Sequence, residues 1–115
     1  MTFRKAFLSL LAVSAVALPG LSAHAAGLKV DDTALCNAAL SLKSKEDGLL
    51  MQESVALIRA ASWYAAEGAK LDKVKYDRQR TVYGAAFVEA RDKDDPQYEA
   101  AVKGCMTRYK NEIAK

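Results

Sequence analysis

The chain has 115 residues, 51% of them hydrophobic and 27% charged, with a formal net charge of +3 at pH 7; one domain is the natural expectation for this length. Two of the basic residues, Arg4 and Lys5, belong to an N-terminal segment that reads as removable. Without them fifteen basic residues face 14 acidic ones, and a near-neutral domain offers no electrostatic case for binding nucleic acid.

Residues 1–25 read as a signal peptide. Arg4 and Lys5 form the positive region, Ala6 to Leu18 the apolar run, and Pro19-Gly20 the helix break before Ala23-His24-Ala25. That last tripeptide has the small-x-small form of a signal-peptidase site, with Ala23 and Ala25 as its two small positions. The apolar run is too short for a permanent anchor, which needs about 20 residues. The remaining 90 residues, 26–115, are therefore expected to be a single helical domain, periplasmic or secreted, with no stable membrane insertion. His24 is the only histidine of the chain, so cleavage after Ala25 leaves a histidine-free protein.

Four amphipathic segments follow. Asp31-Asp32-Thr33 offers N-cap oxygens for a first helix reaching about Ser44, with Leu35, Cys36, Ala39 and Leu40 or Leu42 on its apolar face. Ser44-Lys45-Glu46-Asp47 resembles a capping box that opens a second helix at about Lys45, which Gly68 would end. Leu50, Leu57, Ala61 and Tyr64 lie along one line of that helix; Leu49, Ala56, Ala60 and Trp63 lie along the next. A face this wide fits a helix touched by several neighbours. A linker containing Lys70, Asp72, Lys73 and Lys75 leads to a third helix striped by Tyr76, Tyr83, Phe87 and Ala90. Asp95-Pro96 opens the last helix, since Pro suits the first turn and Asp the cap before it. Tyr98, Ala101, Val102, Cys105, Tyr109 and Ile113 share one of its faces. No apolar–polar alternation supports strands. The fold class is all-α, an antiparallel bundle of about four helices.

Cys36 and Cys105 are the only cysteines, and in an exported chain an even number points to a disulfide. It would staple the first helix to the last. A pairing that closes 69 residues constrains the unfolded chain by about 4 kcal/mol in the chain-entropy model.

The chemistry that remains is narrow. Without histidine the commonest general base and the commonest metal ligand are gone, and paired cysteines supply no thiolate. Asp92, Asp94 and Asp95 cluster at a helix junction, where capping accounts for Asp95 and no glycine-bearing calcium loop follows. The basic run from Lys70 to Arg80 is interrupted by Asp72 and Asp77. No catalytic set, metal site or cofactor is expected, and the chain does not read as an enzyme. The aromatic residues are the least ordinary feature: Trp63, Tyr64, Tyr76, Tyr83, Phe87, Tyr98 and Tyr109. Tyrosine joins contact area to a polar tip and is enriched at binding surfaces. Leu57, Trp63 and Tyr64 are thus the candidate partner surface.

These features predict a small exported binding protein that acts by protein–protein contact with another envelope protein, as an inhibitor, immunity factor or accessory subunit. In layout (exported, helical, about 90 mature residues, one disulfide) the chain also resembles small periplasmic acid-stress chaperones. That resemblance covers general layout, no motif accompanies it, and the cysteine separation is longer than expected for them; protonating the 14 acidic residues would make the domain strongly positive and loosen the bundle. With no histidine, such a switch would rest on carboxylates and act below about pH 5. A carrier with a small-molecule or cofactor pocket between its helices is the remaining alternative. The sequence leaves the oligomeric state open.

Overall fold

A computed structural model describes residues 27–115; residues 1–26, with the expected signal peptide and its Ala23, His24 and Ala25, lie outside the described residues. Three helices make up the described chain: α1 (Val30–Ser44), α2 (Met51–Asp92) and α3 (Pro96–Ile113), with no strand among these residues. The fold is all-helical, with three helices where the sequence suggested about four. The difference lies in α2. At 1.5 Å per residue its 42 residues would extend about 63 Å as a straight rod, beyond the 42 Å longest dimension of the structure. The helix is broken at Asp72, whose backbone is extended (φ −170°, ψ 93°). A first arm, residues 51–71, and a second arm, residues 73–92, meet there. Asp72 is the cap of the second arm, its Oδ1 accepting from the backbone N–H of Lys75 at 3.0 Å. The linker read from Lys70 to Lys75 shrinks to this one residue.

Gly68, expected to end a helix, continues one. A Cβ there would stand 2.5 Å from Thr33 Oγ1 and closer still to the Tyr76 ring. The missing side chain is therefore a packing device, letting the start of the second arm and the foot of α1 close onto the first arm. The second helix also begins later than the capping-box reading placed it. Gly48, at φ +90°, stops helical continuation after α1. The first arm opens at Met51, with Glu53 Oε1 accepting from the Leu50 N–H at 2.9 Å. At the start of α1, Lys29 occupies the cap position, and Asp32 reaches back to its N–H at 3.4 Å. The last helix starts as expected: Asp95 Oδ1 accepts from the Gln97 N–H at 2.9 Å, and Pro96 fills the first turn.

Helix α1 carries the centre of the fold. Thr33, Ala34, Cys36, Ala38, Ala39 and Leu40 are all buried, which requires neighbours on several sides rather than one narrow face. Its alanines let those neighbours approach closely. Asn37 ties α1 to both arms of α2, donating to the Ala61 carbonyl at 2.7 Å and accepting from Arg80 Nε. Cys36, Ala39, Leu40, Leu57, Ala60, Ala61, Tyr64, Tyr98, Ala101, Val102 and Cys105 form the core cluster. Cys36 and Cys105 have their sulfurs 2.05 Å apart, joining α1 to α3 across a sequence separation of 69. Ile113, read as part of the inward face of α3, is 55% exposed near the end of the helix.

Candidate functional site

The first arm of α2 carries two rows of uncharged residues. The inner row, Leu57, Ala60, Ala61, Tyr64 and Gly68, is buried against α1 and α3. The outer row is Met51, Val55, Ile58, Ser62, Ala65 and Ala69, spaced four, three, four, three and four residues apart. Its first half is large and apolar; its second half is small, with Ser62 the one polar member. A seven-residue repeat keeps one stripe on one side of a helix and is the pattern by which helices pair. Here most of the stripe stands in solvent. Met51 is 80% exposed, Val55 40% and Ile58 51%; Ser62 and Ala69 are exposed and Ala65 half-buried. Leu50, beside the start of the row, is 59% exposed. An open groove of about 400 Å³ runs over the upper part of this face, between Met51, Gln52, Val55, Ala56 and Arg59.

Sequence reasoning placed the contact surface on Leu57, Trp63 and Tyr64, and the structure divides those residues differently. Leu57 and Tyr64 belong to the core. The Tyr64 hydroxyl donates to the Cys105 carbonyl at 2.8 Å, so its polar tip is used up inside and points to no partner. Burial holds that hydroxyl far above the usual tyrosine range, so it stays protonated as the donor of this hydrogen bond. Trp63 is half-buried, edge-on to Tyr64 at 4.9 Å and to Tyr109 at 5.6 Å. It serves as a packing bridge to α3. The outer row was missed because none of its members is aromatic and half of them are small; the signal that finds them is their strict spacing.

A polar cluster lies where the start of α1 meets the end of α3. Arg108 is 7% exposed, with Nε 3.3 Å from Glu112 Oε2. Its two terminal nitrogens have no hydrogen-bond partner among the described residues, nor does Asp31 Oδ1. Burial pushes the Asp32 carboxyl above its ordinary value, against the Lys29 N–H and the charge of Arg108, both of which pull it down. Opposed charges thus meet at this end of the fold with three buried polar atoms left unpartnered among the described residues.

At the other end, Glu46 joins the loop after α1 to α3. It accepts from Lys43 Nζ at 2.9 Å and from the Tyr98 hydroxyl at 2.8 Å, while Lys43 also pairs with Glu99 at 2.8 Å. Burial would raise the Glu46 carboxyl, but the two hydrogen bonds outweigh it and hold the group below its ordinary range. Of the aspartates near this corner, Asp92 pairs with Arg91 at 3.3 Å and Asp95 caps α3. No group of three or more potential metal-ligating His, Cys, Asp or Glu residues occurs among the described residues. No described helix is long and apolar enough to cross a membrane.

Compared with protein-family models, with curated proteins and with solved structures, the chain matches none.

Proposed function

We propose that the protein is a small exported helical binding protein, periplasmic or secreted, that acts by protein–protein contact through the outer face of α2. An inhibitor, an immunity factor or an accessory subunit of another envelope protein fits this reading. The observation that carries it is the apolar run Met51-Val55-Ile58 of the outer row, which stands in solvent although the same arm has a complete core row of its own. Exposed apolar area gathered along one helix marks a contact site. Export draws support from the leader-like sequence of residues 1–25 and from the disulfide pairing, which suits an oxidising compartment.

Two measurements test the proposal. N-terminal sequencing of the accumulated protein is expected to begin at Ala26; a retained Met1 would remove the export half. A photo-crosslinking residue at Ile58, with a control at Lys110 on α3, is expected to yield an envelope-protein adduct from position 58 alone. Excess unlabelled protein should compete that adduct away. Equal adducts from both positions, or none with a foreign protein, would remove the binding half.

The acid-chaperone alternative rests on Glu46, whose ionised carboxylate ties the loop 45–50 to α3 through Tyr98. Protonation in acid weakens that tie and loosens one corner of the fold. Suppression of client aggregation at pH 3 but not at pH 7 is the result it requires.

A further inference from the structure

We infer that the outer face of α2 pairs with the same face of a second copy, the two first arms running antiparallel about a two-fold axis level with Ala60. This rests on the reading of the outer row as a contact face and names what occupies it. The ground is the order of residue sizes along the row. Ile58 lies two residues before Ala60 and Ser62 two after; Val55 lies five before and Ala65 five after; Met51 lies nine before and Ala69 nine after. Every large side chain of the first half is therefore matched, at equal distance from residue 60, by a small one of the second half. A two-fold interface requires that if residue i meets residue j, then j meets i. In an antiparallel pair centred on residue 60 this gives Met51 against Ala69, Val55 against Ala65 and Ile58 against Ser62, each layer twice. Large meets small in all six layers, so the helices can approach closely and fill the seam without voids. Ser62 does not break the pattern. A helical serine can return its hydroxyl to the carbonyl four residues back, here that of Ile58, which leaves its Cβ to face the seam. A parallel pair would instead set Met51 on Met51 at one end and Ala69 on Ala69 at the other, overfilled above and hollow below.

The rest of the surface agrees. No charged residue lies on the row itself between residues 51 and 69, and its open flank carries Gln52, Arg59 and Ala66. The two copies of Arg59 would approach one another near the axis. Their repulsion is screened by salt, so pairing should tighten as ionic strength rises, opposite to a contact built on ion pairs. The seam is about 27 Å long and one helix, about 10 Å, wide, which covers on the order of 300 Å² per copy. A standard stable interface takes about 800 Å² per partner. The pair is thus reversible, leaving the face available to a competing partner.

Sedimentation velocity of the purified chain across a concentration series is the first test. The expected result is a monomer–dimer equilibrium, tightened by added salt and weakened about ten-fold or more by Ser62→Glu, which sets a charge against Ile58 of the other copy. A chain that stays monomeric up to about 1 mM, the weak end of measurable association, overturns the inference. The register is tested by thiol trapping. Chains carrying Met51→Cys and chains carrying Ala69→Cys, mixed and oxidised, are expected to link to each other, and neither to itself. Self-linking of Met51→Cys would establish the parallel arrangement and overturn the antiparallel one. A monomeric chain that still gives the Ile58 adduct with another envelope protein refutes self-pairing and leaves the proposed function standing. A dimer whose only adduct is its own copy does the reverse.

Discussion

The outer row of the first arm of α2 and the inner residues Leu57, Ala61, Tyr64 and Gly68 lie on one helix, follow the same seven-residue repeat and carry no charge. Leu57, Ala61, Tyr64 and Gly68 are buried, while Met51, Val55 and Ile58 are 80%, 40% and 51% exposed. What separates them is what each row can receive. The inner row has Gly68, where Tyr76 and Thr33 come closer than any side chain would permit, and Tyr64, whose hydroxyl finds the Cys105 carbonyl. The outer row has no such gap filled by its own chain, and its one polar member, Ser62, stands exposed. Periodicity thus tells which residues share a side of a helix, and close-approach residues tell which side the chain itself covers.

The strongest intervention is on the staple behind the inner row. Replacing Cys36 and Cys105 together by Ser is expected to lower stability by about 4 kcal/mol, read as a shift of the denaturant midpoint. Next comes a direct contrast between adjacent residues. Leu57→Ala, which empties a buried site, should cost about 2–4 kcal/mol, whereas Ile58→Ala should stay within about 0.5 kcal/mol as surface changes do. Equal losses from the two would erase the distinction between the rows. Gly68→Ala should cost about 1–3 kcal/mol by overpacking; a neutral or stabilising result would return Gly68 to the role of an ordinary helix residue.

The smallest effect is a pH dependence at the Glu46 corner. Because the folded-state carboxyl is held below its ordinary value of 4.5, Glu46 contributes stability above that value and loses it as pH falls through the folded one. Asp32 has the opposite sign. Its folded value is raised above 3.8, so ionisation costs the folded state, and that cost disappears as pH falls toward 3.8. Glu46→Gln should therefore lower stability by about 1 kcal/mol at pH 7 and reduce the loss on acidification. Asp32→Asn should steepen it. Unfolding curves at pH 7 and pH 3 for the three proteins check both signs.

Much of the fold was legible because the relevant signals are local. Asp95-Pro96 starts a helix by chemistry contained in two residues, and a pair of cysteines on inward-facing positions has one way to join. Three features were not legible for the opposite reason. The role of Gly68 depends on Tyr76 and Thr33, which only the folded chain brings together. The break at Asp72 is an extended residue capped by its own side chain, indistinguishable in sequence from a charged linker. The start of the first arm moved to Met51 because Gly48 adopts a left-handed backbone, while Glu46, read as part of a cap, was taken by Lys43 and Tyr98. At the candidate site, large aromatic residues drew attention to Trp63 and Tyr64, whose size is used in packing within the chain. The residues of the outer row are a methionine, a valine, an isoleucine, a serine and two alanines, legible only as a spacing.

Self-pairing makes the outer row a contact face between copies and no part of the core. Sedimentation of Ile58→Asp, at matched concentration with the wild-type chain and with its unfolding midpoint measured in the same buffer, tests it most directly. A midpoint close to wild type and a single monomeric species, where the wild-type chain associates, are the expected results. A midpoint collapsed like that of Leu57→Asp, or undiminished association, would contradict it.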